Sequence, residues 1–156
     1  MKVLAKEIMN EEVVSVTVGT SLKEAVRIFA DHCVAVLPVV DQEHKLVGML
    51  SESDVLEFSG KIHVLPMLDS SGWISPYEQA DEKTDYRQGV DLLDKTPVEK
   101  IMTRRIVSVK EDLPGHEVAK IMKKRVKHVP VLDVSGKLRG LIGRGDVINY
   151  LASTED

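Results

Sequence analysis

Leu37-Pro38-Val39-Val40-Asp41, followed by Leu46-Val47-Gly48-Met49-Leu50-Ser51-Glu52-Ser53-Asp54, decides the fold, because it occurs twice. It returns as Val129-Pro130-Val131-Leu132-Asp133 and Leu138-Arg139-Gly140-Leu141-Ile142-Gly143-Arg144-Gly145-Asp146, at an offset of 92. Upstream, Ile8-Met9 and Val14-Ser15-Val16 return as Ile101-Met102 and Val107-Ser108-Val109 at an offset of 93. Apart from one residue deleted between leader and hairpin, the chain is two copies of one unit fused end to end.

Each copy has the same periodicity. A short strand, Val13 to Val18, runs into Thr17, Gly19 and Thr20. Ser21 then offers an N-cap with Glu24 three residues on, and Leu22, Ala25, Val26, Ile28 and Phe29 fall on one helical face. Val34 to Val40 is rich in β-branched residues, and Asp41 to His44 turn it back into Leu46 to Leu50. In the second copy Asp133 to Gly136 makes that turn, with Gly136 free to take positive φ. Ser51 to Asp54 has capping-box spacing and opens a helix to about Phe58. A half of roughly 60 residues without staples is marginal alone, so the halves must pack on each other. The expectation is an α+β fold of two β-α-β-β-α repeats, residues 1–59 and 97–156, with pseudo-two-fold symmetry, two equivalent clefts and a partly helical insertion at 60–96.

Composition narrows the function classes. With 43% hydrophobic residues in 156, a core is available without disulfide or metal. A net charge of -4 and the lack of a basic stripe argue against nucleic acid as a partner. Lys123, Lys124 and Arg125 sit at a predicted helix end, where cations complement the dipole. Cys33, the only cysteine, lies in an apolar run and is expected to be a buried, inert thiol. No run approaches the roughly 18 apolar residues of a membrane span, so a soluble, cytoplasmic protein is expected.

The two hairpins, each closed by Asp54 or Asp146 and each preceded by an Ile-Met element, resemble the tandem CBS (cystathionine-β-synthase) domain pair, or Bateman module. The resemblance covers nearly everything except roughly residues 60 to 96. It implies a non-catalytic regulatory module that binds an adenosine-containing ligand, AMP, ADP, ATP or S-adenosylmethionine, with no cofactor required. Asp54 and Asp146 would grip ribose hydroxyls, while Ser51, Gly143 and the nearby Arg144 would face phosphate. Val14, Val107 and the backbone around Val36 and His128 would line the base. The resemblance also implies a homodimer and a separate regulated protein.

Helix starts carry unsatisfied N–H groups and a positive dipole end, so Ser51–Asp54 and Gly143–Asp146 are each an anion seat on physical grounds; equally, Ser51 and Asp54 can simply cap their own helix. The seats differ. Gly143 lacks the hydroxyl of the family pattern, and Arg144 replaces Glu52, a difference of two charge units that favours phosphate at the second seat. His128 is placed to stack on or hydrogen-bond a base, or to pack at a strand edge. His32, His44, His63 and His116 show no metal-ligand spacing. Asp54 and Asp146 belong to opposite clefts and share no substrate, and no nucleophile has a base at recognisable spacing. The reading of another class is a ligand-independent dimerisation scaffold with degenerate sites.

The insertion carries Trp73, Tyr77 and Tyr86, and from Lys61 to Lys95 four Lys/Arg stand against seven Asp/Glu. Ser75-Pro76-Tyr77-Glu78 predicts a helix start, and Thr96-Pro97-Val98-Glu99 repeats the signature. It reads either as a helical flap over apolar sheet or a dimer seam, or as a ligand-gated lid or docking arm anchored by Trp73 and Tyr77.

Overall fold

The computed structural model describes residues 3–61, 89–123 and 126–153. The helix expected from Pro76, the anchors Trp73, Tyr77 and Tyr86, and also His63, Lys124 and Arg125 lie outside the described residues. The order is α1 (Ala5–Ile8), β1 (Val16–Thr17), α2 (Leu22–His32), β2 (Val36–Val40), β3 (Leu46–Ser51), α3 (Glu52–Lys61), a helical stretch at 89–95 (α4), and a 3-10 turn at Val98–Lys100. Then come β4 (Val109–Lys110), α5 (Gly115–Met122), β5 (His128–Leu132), β6 (Leu138–Gly143) and α6 (Arg144–Ser153). Two three-stranded sheets result, β1-β2-β3 and β4-β5-β6, which is the α+β architecture the repeat implied.

The first strand of each sheet is shorter than its sequence suggested. β1 pairs parallel with β2 only through Val16–Val39 and Thr17–Val40, and β4 with β5 only through Val109–Val131 and Lys110–Leu132. Val13 to Ser15, β-branched enough to read as strand, lie outside the ladder. At 97–100 the helix signature yields one 3-10 turn, with Pro97 at its N-cap.

Contacts divide the chain into two compact units that do not follow the repeats: Met1–Thr17, Pro38–Met49 and Thr103–Asp156 form one, Val18–Leu37 and Leu50–Met102 the other. In the first unit the leader of copy one is docked on the body of copy two. Ala5 N–H donates to Leu113 O at 2.7 Å, Gly115 N–H to Val3 O at 2.7 Å, and Asn10 exchanges two bonds with Leu141 at 2.9 and 3.1 Å. Ala5 is fully buried with Val109, Val118, Met122, Val129, Val131, Ile142 and Val147, and Ile8 and Met9 pack against that cluster. The second unit repeats the device in the other direction. Val98 N–H donates to Thr20 O at 2.8 Å, Leu22 N–H to Thr96 O at 2.9 Å, and Gly19 N–H to the Glu99 carboxylate at 3.0 Å. Val98 is fully buried.

The hairpin turns are built alike. Asp41 Oδ1 accepts from Glu43 and Lys45 N–H, each at 2.9 Å, and Asp133 Oδ1 from Ser135 and Lys137 N–H at 2.9 and 3.0 Å. Gly136 has φ 90, and the equivalent residue of copy one, His44, takes φ 67 despite its side chain. The expectation of a buried Cys33 is overturned. It ends α2 in the left-handed region at φ 53, ahead of the strand that starts only at Val36, and its thiol is exposed.

Close approach of Met9 fixes the residue at 140. A Cβ there would stand 2.9 Å from Met9 Cβ and 2.6 Å from its Cγ, too near the backbone for rotation alone to relieve. Gly140→Ala is therefore expected to destabilise by about 1–3 kcal/mol in urea denaturation, with part of the loss restored by adding Met9→Ala. An unchanged midpoint would contradict the docking of this leader.

Candidate functional site

Each hairpin ends where a helix begins, and the residue types there determine what the helix start offers. In the second unit, Ser51 Oγ accepts from Asp54 N–H at 3.1 Å while Asp54 Oδ2 accepts from Ser51 N–H at 2.9 Å, a reciprocal capping box. Glu52 N–H donates to Ala35 O at 3.0 Å. Three of the four amides from Ser51 to Asp54 are thus satisfied by the protein itself. Val36 is buried in β2, and Glu52 is exposed.

The start of α6, in the first unit, is chemically more open. Gly143 N–H donates to Asp146 Oδ2 at 2.8 Å, which holds the carboxylate over the turn. Gly143 has no hydroxyl to cap Asp146 N–H, and the amides of Arg144, Gly145 and Asp146 meet no acceptor outside α6 among the described residues. The exposed Arg144 makes no ion pair among the described residues. A row of unsatisfied amides beside a guanidinium is an anion seat by composition, and the adjacent carboxylate accepts hydroxyls.

His128 faces this seat from β5, where it is the ladder partner of Gly143. Burial, then the charges of Lys127 and Arg144, hold its pKa below the ordinary 6.5, with Asp146 opposing. Beside Asp146 a cleft of about 300 Å³ opens between α1 and α6, lined by Val3, Glu7, Ile8, Asn149, Tyr150 and Ser153 as well. Its charged groups, Glu7 and Asp146, are both acidic, so it suits neutral or cationic groups. Gly115 forms part of this region's support. A Cβ there would meet Ile8 Cδ1 at 2.7 Å and the Tyr150 ring at 3.2 Å.

Of the residues singled out in the sequence, the structure brings Gly143, Asp146 and His128 together with Arg144 beside them, and Ser51 together with Asp54. Val14 is half-buried and Val107 is 47% exposed, in the extended stretches before β1 and β4. The α1–α6 cleft was not foreseen. The polar stripe Asp146, Asn149, Tyr150, Ser153 at i, i+3, i+4, i+7 was its available signal, where the equivalent stripe of α3 is closed by the Glu57–Lys61 ion pair at 3.4 Å. Among the described residues no cluster of His, Cys, Asp and Glu is arranged to hold a metal ion. No helix among them is long and apolar enough to cross a membrane.

Two hairpins related by one offset, each running into a helix start, are the features of a tandem repeat protein. The CBS domain family model matches residues 5–61 and 98–153, and the chain belongs to that family. Among its relatives, the protein MJ1426 of Methanocaldococcus jannaschii is 29% identical over 95% of this chain and 90% of its own length. In structure the chain is similar to the Arabidopsis thaliana protein CBSX2 in complex with AMP, at TM-score 0.71 and 21% identity over 98% of both chains. It is also similar to the CBS domain pair of protein MJ0100 in complex with 5'-methylthioadenosine and S-adenosyl-L-methionine, at TM-score 0.66 and 24% identity over 99% of both.

The imidazole's lowered pKa has a checkable sign. Because the folded value lies below 6.5, the unfolded chain binds the proton first, and stability present above 6.5 is lost as pH falls through it. Wild-type protein should therefore lose more stability than His128→Gln between about pH 7.5 and about pH 5.5 in urea denaturation. Parallel curves would show that the residue does not experience this field.

Proposed function

We propose that the chain is a regulatory module that senses an adenosine-containing nucleotide and performs no catalysis. The observation that carries this reading is the start of α6, where amides and an Arg144 without partners outside the helix among the described residues lie in sequence with the Asp146 carboxylate. Phosphate binds at the amides and Arg144, and the ribose hydroxyls donate to Asp146. Val14, Val107 and the backbone around His128 flank the base at this seat, and the backbone around Val36 does so at the Ser51–Asp54 seat. In the other half Asp54 plays the ribose role more weakly, because Ser51 is engaged in capping and Glu52 repels phosphate. AMP bound to CBSX2, and 5'-methylthioadenosine and S-adenosyl-L-methionine bound to MJ0100, support this ligand class. The competing reading, a scaffold with degenerate sites, draws its support from the self-satisfied Ser51–Asp54 box, from Glu52 and from the hydroxyl missing at Gly143.

Calorimetry tests the reading through its asymmetry. Losing a charged hydrogen-bond partner costs about 1.5–3 kcal/mol, so Arg144→Ala should weaken AMP binding roughly ten- to a hundredfold. Asp146→Ala should cost more than Asp54→Ala, and Glu52→Ala should leave binding equal or stronger. A ligand at 100 times its dissociation constant adds roughly 2.7 kcal/mol of stability, so a thermal-shift panel of AMP, ADP, ATP and S-adenosylmethionine identifies the preferred one. No shift with any of them at millimolar concentration establishes the scaffold instead.

The same module is proposed to be a homodimer. Leu56 on α3 and Ile148 on α6, related by the repeat offset, are 60% and 62% exposed, and Val26, Leu92 and Leu151 add to the exposed apolar surface. Repeated apolar positions left in water on equivalent helices fit a second copy of the chain. Light scattering should give twice 17.3 kDa at micromolar concentration, and Leu56→Glu with Ile148→Glu should return the monomer mass. A wild-type monomer would end the proposal.

A further inference from the structure

Copy one carries Val36 and Ser51 at the positions where copy two carries His128 and Gly143. In copy two these residues are partners across the ladder between β5 and β6. A Cβ on Gly143 would lie 3.6 Å from Asp146 Oδ2 and 3.9 Å from His128 Cδ2, so the volume a serine would fill is open, between carboxylate and imidazole. Copy one has a hydroxyl there beside a buried apolar neighbour; copy two has no side chain beside an imidazole that borders the same volume. The polar group missing from one strand is present on its partner.

From this exchange we infer that His128 supplies the phosphate donor that residue 143 lacks, and that it takes up a proton from solvent as the phosphate binds. The inference rests on the nucleotide reading above and specifies how that seat is regulated. The charged groups facing the imidazole are Lys127 on its own segment and Arg144 and Asp146 on α6. The two cations and burial favour the neutral ring, whereas a bound phosphate reverses the local field and favours the imidazolium. Affinity for a phosphorylated ligand therefore rises as pH falls from the ring's bound pKa to its free one, by at most about tenfold per pH unit. A nucleoside without phosphate gains nothing, so the seat distinguishes AMP from adenosine by charge.

Calorimetry of AMP and of adenosine, on wild type and His128→Gln, from about pH 8 to about pH 6, tests this. Because titration of AMP itself is common to both proteins, the ratio of their dissociation constants isolates the imidazole. The ratio for AMP should rise roughly three- to tenfold as pH falls, and that for adenosine should stay level. A double variant, His128→Val with Gly143→Ser, moves the copy-one pair into copy two, and the open volume at 143 admits the serine. It should bind AMP within about threefold of wild type at pH 8, and its affinity relative to His128→Gln should not vary with pH. If wild type binds AMP and the ratio is flat, or adenosine shows the same slope, the inference is overturned and the nucleotide reading stands. If wild type binds no AMP at all, the inference falls, and the nucleotide reading falls with it when ADP, ATP and S-adenosylmethionine also give no thermal shift.

Discussion

The backbone bonds that tie each leader to the body of the other copy are the constraint on which the rest depends. A leader with Ala5 or Val98 at its centre presents a small apolar surface and a few N–H groups, and in isolation it would be a disordered tail. Docked, it fills a slot in a core it does not share by sequence, as Ala5 does among Val109, Val129 and Ile142. The glycines at 115 and 140 are shaped by that docking, since each lies where a side chain would collide with Ile8 or Met9. So the local choice of glycine in one copy is dictated by residues more than a hundred positions away.

Much of the architecture was legible because a repeat reports itself twice. The offset located the hairpins, the Asp-closed turns and both helix starts without reference to any contact. What the repeat cannot report is which body receives a given leader, because Ile8-Met9 and Ile101-Met102 are alike. For the same reason Cys33 was misjudged. The residues that follow it are apolar, yet the left-handed residue that ends α2 has to come before the strand, and that puts the thiol in solvent. The strands β1 and β4 were overextended because β-branched residues mark extended backbone well but cannot say whether a ladder partner lies alongside.

At the candidate site, sequence identified the differences between the copies but not their geometry. Gly143 read as a loss, a hydroxyl missing from the pattern. In the structure the missing hydroxyl leaves the Asp146 amide without the cap that Ser51 gives Asp54, and the Arg144 amide without the acceptor that Ala35 gives Glu52 among the described residues. A helix start that satisfies itself has fewer amides left to offer a ligand. The cleft beside α6 escaped notice because its two walls come from the first described residues and the last helix, a pairing that periodicity does not encode.

The division into units also sets an order of assembly during synthesis. One unit, Val18–Leu37 with Leu50–Met102, has all its residues once translation has passed the 3-10 turn. The other needs Val147 at its core, so the leader around Ala5, although made earlier, waits unpaired until α6 has been made. Loss of α6 would therefore release the leader around Ala5. A short exposed leader of this kind gives quality-control proteases an early handle on any copy whose synthesis stops before α6 is made.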